Sequence, residues 1–276
     1  AIAMNGRAVS MSNLIVRPQP TPDGKGEWLS LTPESVGWKY VHFEVRPLSA
    51  GQTFHIETGD LEVCIVILSG KVLAYTKGFE TPVIGGRKTV FERIPPHALY
   101  LTTDEVCRIE AVEDAELAIC KAPGKGTYPS RVIRPEDVKT ETRGHGAMER
   151  YIQNILADTD AADSLLVVEV YTPNGNWSSY PPHKHDEDNL PHEAYLEETY
   201  YHRINPAHGF CIQRVYDEER GFDETVVARN GEVVLVPRGY HMVGAPPGYD
   251  LYYLNVMAGP TRTWVFQRDA KHTWIK

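Results

Sequence analysis

Short apolar runs broken by turn residues every eight to twelve positions dominate this chain, and helical periodicity is scarce. Strands are predicted at Tyr40–Val45, Leu61–Leu68, Lys71–Tyr75, Lys88–Glu92, Ala98–Leu101, Cys107–Ala111 and Glu116–Lys121. After a break they resume at Ser164–Tyr171, Glu198–Ile204, Cys211–Tyr216, Glu224–Val227, Glu232–Val236 and Leu251–Met257. Many short strands at that spacing indicate an all-β sandwich or barrel. Single helical turns are expected only at Pro135–Val138 and Ala161–Ser164.

The two halves echo each other. The first reads Gly51-Gln-Thr-Phe-His55, Glu62, a turn at Ser69-Gly70 and Pro95-Pro96-His97. The second reads His183, His185, Glu198, a turn near Gly231 and Pro237-Arg-Gly-Tyr-His241. A duplicated β-barrel follows, with domains at 13–140 and 141–270 and a boundary in the polar stretch Thr140–Glu149.

Composition narrows the function. A net charge of -9 over 276 residues argues against a nucleic-acid binder, which needs a basic surface. No apolar run approaches the roughly 20 residues that span a bilayer; the longest, Val63–Leu68, suits a buried strand. The start Ala1–Arg7 lacks the basic and apolar segments of a signal peptide and is set aside from the fold. Cys64, Cys107, Cys120 and Cys211 show no paired spacing, which suits reduced thiols in a cytoplasmic protein. Two lures are declined. Ala122-Pro-Gly-Lys-Gly126 lacks the spacing and hydroxyl of a phosphate loop, and Asn176-Trp177-Ser178 is a glycosylation acceptor only in a secreted chain.

The chemistry concentrates in Pro181-Pro-His-Lys-His-Asp-Glu-Asp-Asn189. On an extended segment His183 and His185 point to one side. Glu198, Tyr200 and His202 share a face of the next strand, and His241 follows the buried run Gly231–Pro237. Three imidazoles and a carboxylate from several strands can hold a transition metal. Alternation alone does not choose between Glu198 and its neighbour Glu197.

Two histidines around one residue, a glutamate and a late proline–glycine turn with histidine resemble the cupin pattern, a double-sheet jelly-roll barrel. Here Asp186–Leu196 is inserted before the glutamate. With that insertion, Asn176–Asn189, Pro191-His-Glu193, Glu197-Glu-Thr-Tyr-Tyr-His202, Val236–His241 and Asp250–Pro260 closely resemble the 5-deoxy-glucuronate isomerase family. Glu57-Thr-Gly-Asp60, Leu68-Ser-Gly70 and Ala122–Gly126 fit it too, so the likeness spans roughly residues 13–268. It implies two tandem cupin domains and an enzyme of myo-inositol catabolism that turns 5-deoxy-D-glucuronate into 5-dehydro-2-deoxy-D-gluconate. It also implies His183, His185, Glu198 and His241 as ligands. A divalent transition ion is expected there, zinc first, with manganese, iron or nickel as alternatives. The first half, lacking the second histidine of the pair, is expected to be a degenerate barrel.

An aldose–ketose isomerisation moves a proton from C2 to C1, so it needs a base beside the metal. Candidates by position are His202, Glu197 and Lys184. Tyr200, Tyr252 and Asn255 are candidate cavity residues. A sugar-acid substrate calls for an arginine fork; Arg214 and Arg238 lie closest to the motif strands, and Arg150 precedes the second half. The alternatives are a related isomerase of 5-dehydro-4-deoxy-glucuronate type, a cupin oxygenase, and a non-catalytic sugar-binding bicupin. A homo-oligomer is expected, paired through a barrel edge.

Overall fold

The computed structural model describes residues 14–276; the start Ala1–Arg7 and residue 13 lie outside the described residues. Four antiparallel sheets stack as two double-sheet sandwiches. The first large sheet runs Arg131–Ile133, Ala98–Leu101, Leu61–Ser69, Ala115–Pro123, His42–Leu48, Glu27–Leu31, Gln19–Pro20. Its partner is a small sheet of Thr53–Glu57, Val106–Ala111, Lys71–Tyr75 and Ile84–Gly85. The second large sheet runs Ile15–Val16, Val233–Val236, Glu197–Asn205, Asp250–Ala258, Leu166–Thr172, Arg150–Leu156, Lys139–Arg143. It faces a small sheet of Phe222–Arg229, Phe210–Asp217, Tyr240–Gly244, Trp177–Lys184 and Gln267–Arg268. Among the described residues no helix is long and apolar enough to cross a membrane.

The large sheets also pack on one another, which explains why their central strands are apolar on both faces. In Leu61–Ser69, Val63, Ile65 and Ile67 point into the first sandwich. Cys64, Val66 and Leu68 instead enter a third core shared with Tyr201, Tyr252, Leu254 and Val256 of the second large sheet. Two carboxylates latch this junction. Glu62 accepts hydrogen bonds from the backbone N–H groups of Asp163, Ser164 and Leu165 at 2.9, 2.6 and 2.7 Å. Glu197 accepts from those of Lys39, Tyr40 and Val41 at 2.9, 2.9 and 3.0 Å. A buried Arg87–Glu169 pair, at 2.7 Å, bridges the same layer.

Most predicted strands form, with two local corrections. Lys88–Glu92 is not a strand: Thr89 caps a 3-10 turn at Val90–Glu92, and Arg93 adopts the left-handed conformation that ends it. Ala161–Ser164 forms no helical turn, because the N–H groups from Asp163 onward are committed to Glu62. The expected turn at Pro135–Val138 is present as a 3-10 turn over Pro135–Asp137.

The echo between halves also needs correcting in register. Glu62 is the counterpart of Glu197, the latch, and not of Glu198. One residue on, Val63 and Glu198 each face their own sandwich and pair with Leu101 and Val236 respectively. His97 precedes Ala98–Leu101, a large-sheet strand, whereas His241 lies on the small-sheet strand Tyr240–Gly244. His55 is exposed, and His97 accepts a hydrogen bond from the Gly85 N–H at its Nδ1 (3.1 Å). The first sandwich therefore brings His55, Glu62 and His97 to no common point, and Val63, Ile65, Leu101, Ile109 and Ile119 fill its interior.

Candidate metal centre and its cavity

The four expected ligands come from three strands and the inserted loop. His183 and His241 are paired across Trp177–Lys184 and Tyr240–Gly244. His185 begins the loop, and Glu198 stands on Glu197–Asn205 of the large sheet opposite. The loop is pinned rather than loose. Glu193 accepts from the N–H groups of Asp186 (2.7 Å) and Glu187 (2.9 Å), and Asp186 accepts from that of Gly239 at 2.7 Å. The turn carrying His241 and the loop carrying His185 are thus tied together. One ring nitrogen each of His183, His185 and His241 lies within 4.8 Å of the others, the one such group among the described residues.

These residues fit a metal ion on their hydrogen bonding alone. His185 Nδ1 stands 2.9 Å from the Leu196 carbonyl, and His241 Nδ1 stands 3.2 Å from that of Gly239. A carbonyl only accepts, so each neutral ring carries its single proton at Nδ1 and a lone pair at Nε2. Both Nε2 atoms nevertheless aim at Glu198 Oε1, another acceptor, at 3.0 and 2.9 Å. Lone pairs converging on a carboxylate require extra protons or a cation between them, and backbone carbonyls orienting the far nitrogen are the usual support of ligating histidines.

The electrostatics agree. Burial pushes His183 well below the ordinary imidazole range, and the neighbouring His241 and His185 add to it. Burial would raise Glu198, but hydrogen bonds from His185 and His241 bring it down to about 2. Burial also lowers His185, yet Glu198 more than offsets this and holds it above the ordinary value. A cation at the centre would reverse that last sign, since a ligating imidazole is neutral.

The centre opens on a cavity of about 210 Å³. Its wall includes His183, Glu198, Tyr200, Tyr253, Asn255, Asp158 and three arginines, Arg143, Arg150 and Arg268. Strand alternation explains the selection. Arg150 and Ile152 face inward together, as do Val168 and Val170, then Tyr253 and Asn255. Trp264 and Phe266 of the C-terminal segment cover it, with the Phe266 ring tilted against that of His183 at 4.8 Å between centroids. Ser179, left-handed at φ 54, meets the Tyr200 hydroxyl at 2.7 Å, and Ser178 meets that of Tyr253 at 2.5 Å. Burial pushes both phenols up, so both are neutral.

Several predicted residues lie elsewhere, each for a definite reason. Glu197 points to the opposite face from Glu198 and is consumed by its three backbone donors. Lys184 turns away from the rings and is bound to Glu193 (2.8 Å) and Asp186 (3.0 Å). His202 is inward but lies off the cavity wall, its Nε2–H donating to Gln213 at 2.8 Å. Tyr252 enters the junction between the large sheets and donates to Glu169 at 2.6 Å. Arg214 lies off the cavity wall, paired bidentately with Asp223. Arg238 is exposed over the Phe222 ring. Arg150, Arg143, Arg268, Tyr253 and Asp158 take their places on the wall; of these only Arg150 was marked from sequence.

Comparison with known proteins gives a consistent result. Residues 14–275 match the KduI/IolB family. A 5-deoxy-glucuronate isomerase of Geobacillus kaustophilus is 58% identical over 265 residues, 96% of each chain. The crystal structure of an IolB-like protein from Salmonella typhimurium LT2 is 47% identical and superposes with a TM-score of 0.88, covering 89% of this chain and 94% of that one. A Bacillus subtilis oxalate decarboxylase, whose structure is described for its Mn(II) centres, is 12% identical with a TM-score of 0.62 over 92% of this chain and 76% of its own. That distant likeness shows the fold alone: an all-β, tandem cupin.

Proposed function

The chain belongs to the KduI/IolB family, and from that premise we propose that it is a metal-assisted aldose–ketose isomerase of inositol catabolism, converting 5-deoxy-D-glucuronate to 5-dehydro-2-deoxy-D-gluconate. The observation that carries this reading is the group of three imidazoles and Glu198 at a cavity lined by arginines. It stands in a chain 58% identical to a relative of that name.

His183, His185, Glu198 and His241 would hold the ion, zinc first, with manganese, iron or nickel as alternatives. When bound, such an ion supplies Lewis-acid polarisation of adjacent carbonyl and hydroxyl oxygens. Tyr200 and Tyr253, kept neutral by burial, donate hydrogen bonds to negative charge as it develops on the substrate oxygens. Neither is a base. The carboxylates on the wall are Glu198 and Asp158; with Glu198 given to the ion, the proton passing from C2 to C1 falls to Asp158 rather than to His202, Glu197 or Lys184. Val168, Ile152, Trp264 and Phe266 keep bulk water from the reacting carbons.

On this reading domain 141–270 carries the chemistry and domain 13–140 buttresses it through the shared core. Four free, buried cysteines suit a cytoplasmic enzyme. Exposed Trp177, Phe210 and Val227 on the second small sheet support a homo-oligomer. Purified protein given 5-deoxy-D-glucuronate should form the ketose, lose activity on chelation and regain it with added metal. Absence of ketose with metal restored overturns the proposal, and turnover of only 5-dehydro-4-deoxy-D-glucuronate reassigns the substrate within the family.

A further inference from the structure

Several arginines among the described residues have carboxylate partners. Arg87 is buried against Glu169, Arg203 bonds Glu116, Arg214 bonds Asp223, and Arg220 bonds Asp217 and Asp186. Arg150 departs from that pattern. It is only 8% exposed, yet among the described residues its hydrogen bonds go to two backbone carbonyls, Met148 at 2.9 Å and Tyr180 at 3.3 Å. Both come from Nη1, which leaves Nε and Nη2, one edge of the guanidinium, uncommitted. A buried charge without a counter-charge is costly and is seldom kept without use. The side chain lies on the wall of the cavity that holds His183 and Glu198.

A second cation faces the same space. Arg268 sits on Gln267–Arg268, the short strand paired with His183–Lys184, and makes no ion pair among the described residues. The segment that carries it is fastened down by Arg262, whose guanidinium donates to the carbonyls of Leu165 (2.7 Å) and Asp160 (2.6 Å). Arg143, the third arginine on the wall, is already engaged by Glu141 at 2.5 Å.

We propose that Arg150, assisted by Arg268, is the site that recognises the substrate's carboxylate and so selects a sugar acid over a neutral sugar. This inference rests on the isomerase reading and adds an orientation to it. An open-chain uronate carries its aldehyde and its carboxylate at opposite ends. Holding the carboxylate at the free edge of Arg150 leaves the aldehyde end to reach His183 and Glu198. Arg150 is thus a specificity-determining residue, and its loss should raise KM for the acid while kcat falls little.

Binding to the metal-loaded protein tests this with D-gluconate and D-glucitol, which differ only in a carboxylate against a hydroxymethyl group. Calorimetry should show gluconate bound about 10–100-fold more tightly than glucitol, the worth of a charge-assisted pair. Arg150→Met should abolish that preference, Arg150→Lys should keep part of it because charge remains without the fork, and Arg268→Gln, a change on an exposed residue, should reduce it. Metal content is measured on every variant. Equal affinities in the wild type, or a preference unchanged in Arg150→Lys and Arg268→Gln, overturn the assignment even if Arg150→Met does not fold. A protein that prefers gluconate but never produces ketose keeps the carboxylate site and loses the isomerase reading. One that isomerises without the preference does the reverse.

Discussion

Glu197 and Glu198 are neighbours of the same chemistry, almost equally buried at 1% and 2% exposure, yet the structure gives them unrelated tasks. The Glu197→Gln and Glu198→Gln pair separates those tasks. In Glu197, Oε1 accepts from the Tyr40 and Val41 N–H groups and Oε2 from that of Lys39. Glutamine can keep the first two bonds through its carbonyl oxygen. Its NH2 group then confronts the Lys39 N–H, donor against donor, in a partly buried site. Losing one charge-assisted bond and leaving that donor poorly paired costs roughly 1.5–3 kcal/mol, which for a chain of this size lowers Tm by about 3–10 °C. Glu197→Ala strands all three donors, at about 1–3 kcal/mol each. Metal stoichiometry should be untouched in both. Glu198→Gln should do the opposite, weakening metal binding by more than the roughly 10–100-fold that even an outer partner of a ligand is worth, with little loss of stability in chelated protein. Thermal unfolding after chelation and metal analysis after dialysis give the two readouts. If Glu197→Gln strips the metal while Glu198→Gln retains it, the register of this strand is wrong by one residue and the latch argument fails with it.

Other outcomes follow from groups outside the centre. Burial holds His202 at about 4, against about 6.5 in an unfolded chain, so the unfolded chain takes up that proton first as pH falls. Stability from this group is therefore lost between pH 6.5 and 4, by about 2 kcal/mol from pH 7 to 5; urea midpoints of wild type and His202→Gln that run parallel over that range would refute it. Arg87→Met leaves Glu169 charged and buried, which should cost roughly 3–5 kcal/mol. Adding Glu169→Gln should restore part of that loss in denaturant titrations, and an additive loss would remove the pair from the junction. Burial pushes Cys64 up to about 12 and Cys107 to about 11, so a chromogenic disulfide reagent at pH 8 should find no reactive thiol until the protein unfolds.

Much of this was legible in the sequence because strands announce themselves locally. Short apolar runs between turns gave the sandwich, and the His183–His185 spacing gave half of the centre. What alternation alone does not supply is the choice of face. Glu197 and Glu198 sit on a strand buried on both sides, one toward the cavity and one toward the other large sheet, so alternation split them without ranking them. The arginines are a different case. Arg214 is near the motif strands in sequence, but alternation with buried Cys211, Gln213 and Val215 turns it outward. By the same rule Arg150 shares its inward face with Ile152. Phe266 and Arg268 could not be found this way, since only the chain's return across the mouth of the sandwich brings them to His183.

The echo between halves proves to be real but differently placed, and this bears on why only one sandwich carries the centre. In both halves an acid near the start of a large-sheet strand reaches across to the backbone leading into a large-sheet strand of the other half: Glu62 to the residues just before Leu166–Thr172, Glu197 to those just before His42–Leu48. That reciprocal pair is what the two halves share, and its three-donor geometry fixes how one large sheet lies on the other. The next residue faces inward and is free to differ. Where it is Val63, the surrounding Ile65, Leu101, Ile109 and Ile119 close over it as an ordinary apolar core. Where it is Glu198, the opposite sheet and the loop that leaves it answer with His183, His241 and His185. A lone Val63→Glu change would therefore create no second centre; it would bury an unpaired carboxylate among aliphatic side chains and destabilise the first sandwich. The latch preserves the architecture, and the residue beside it decides whether that architecture holds chemistry.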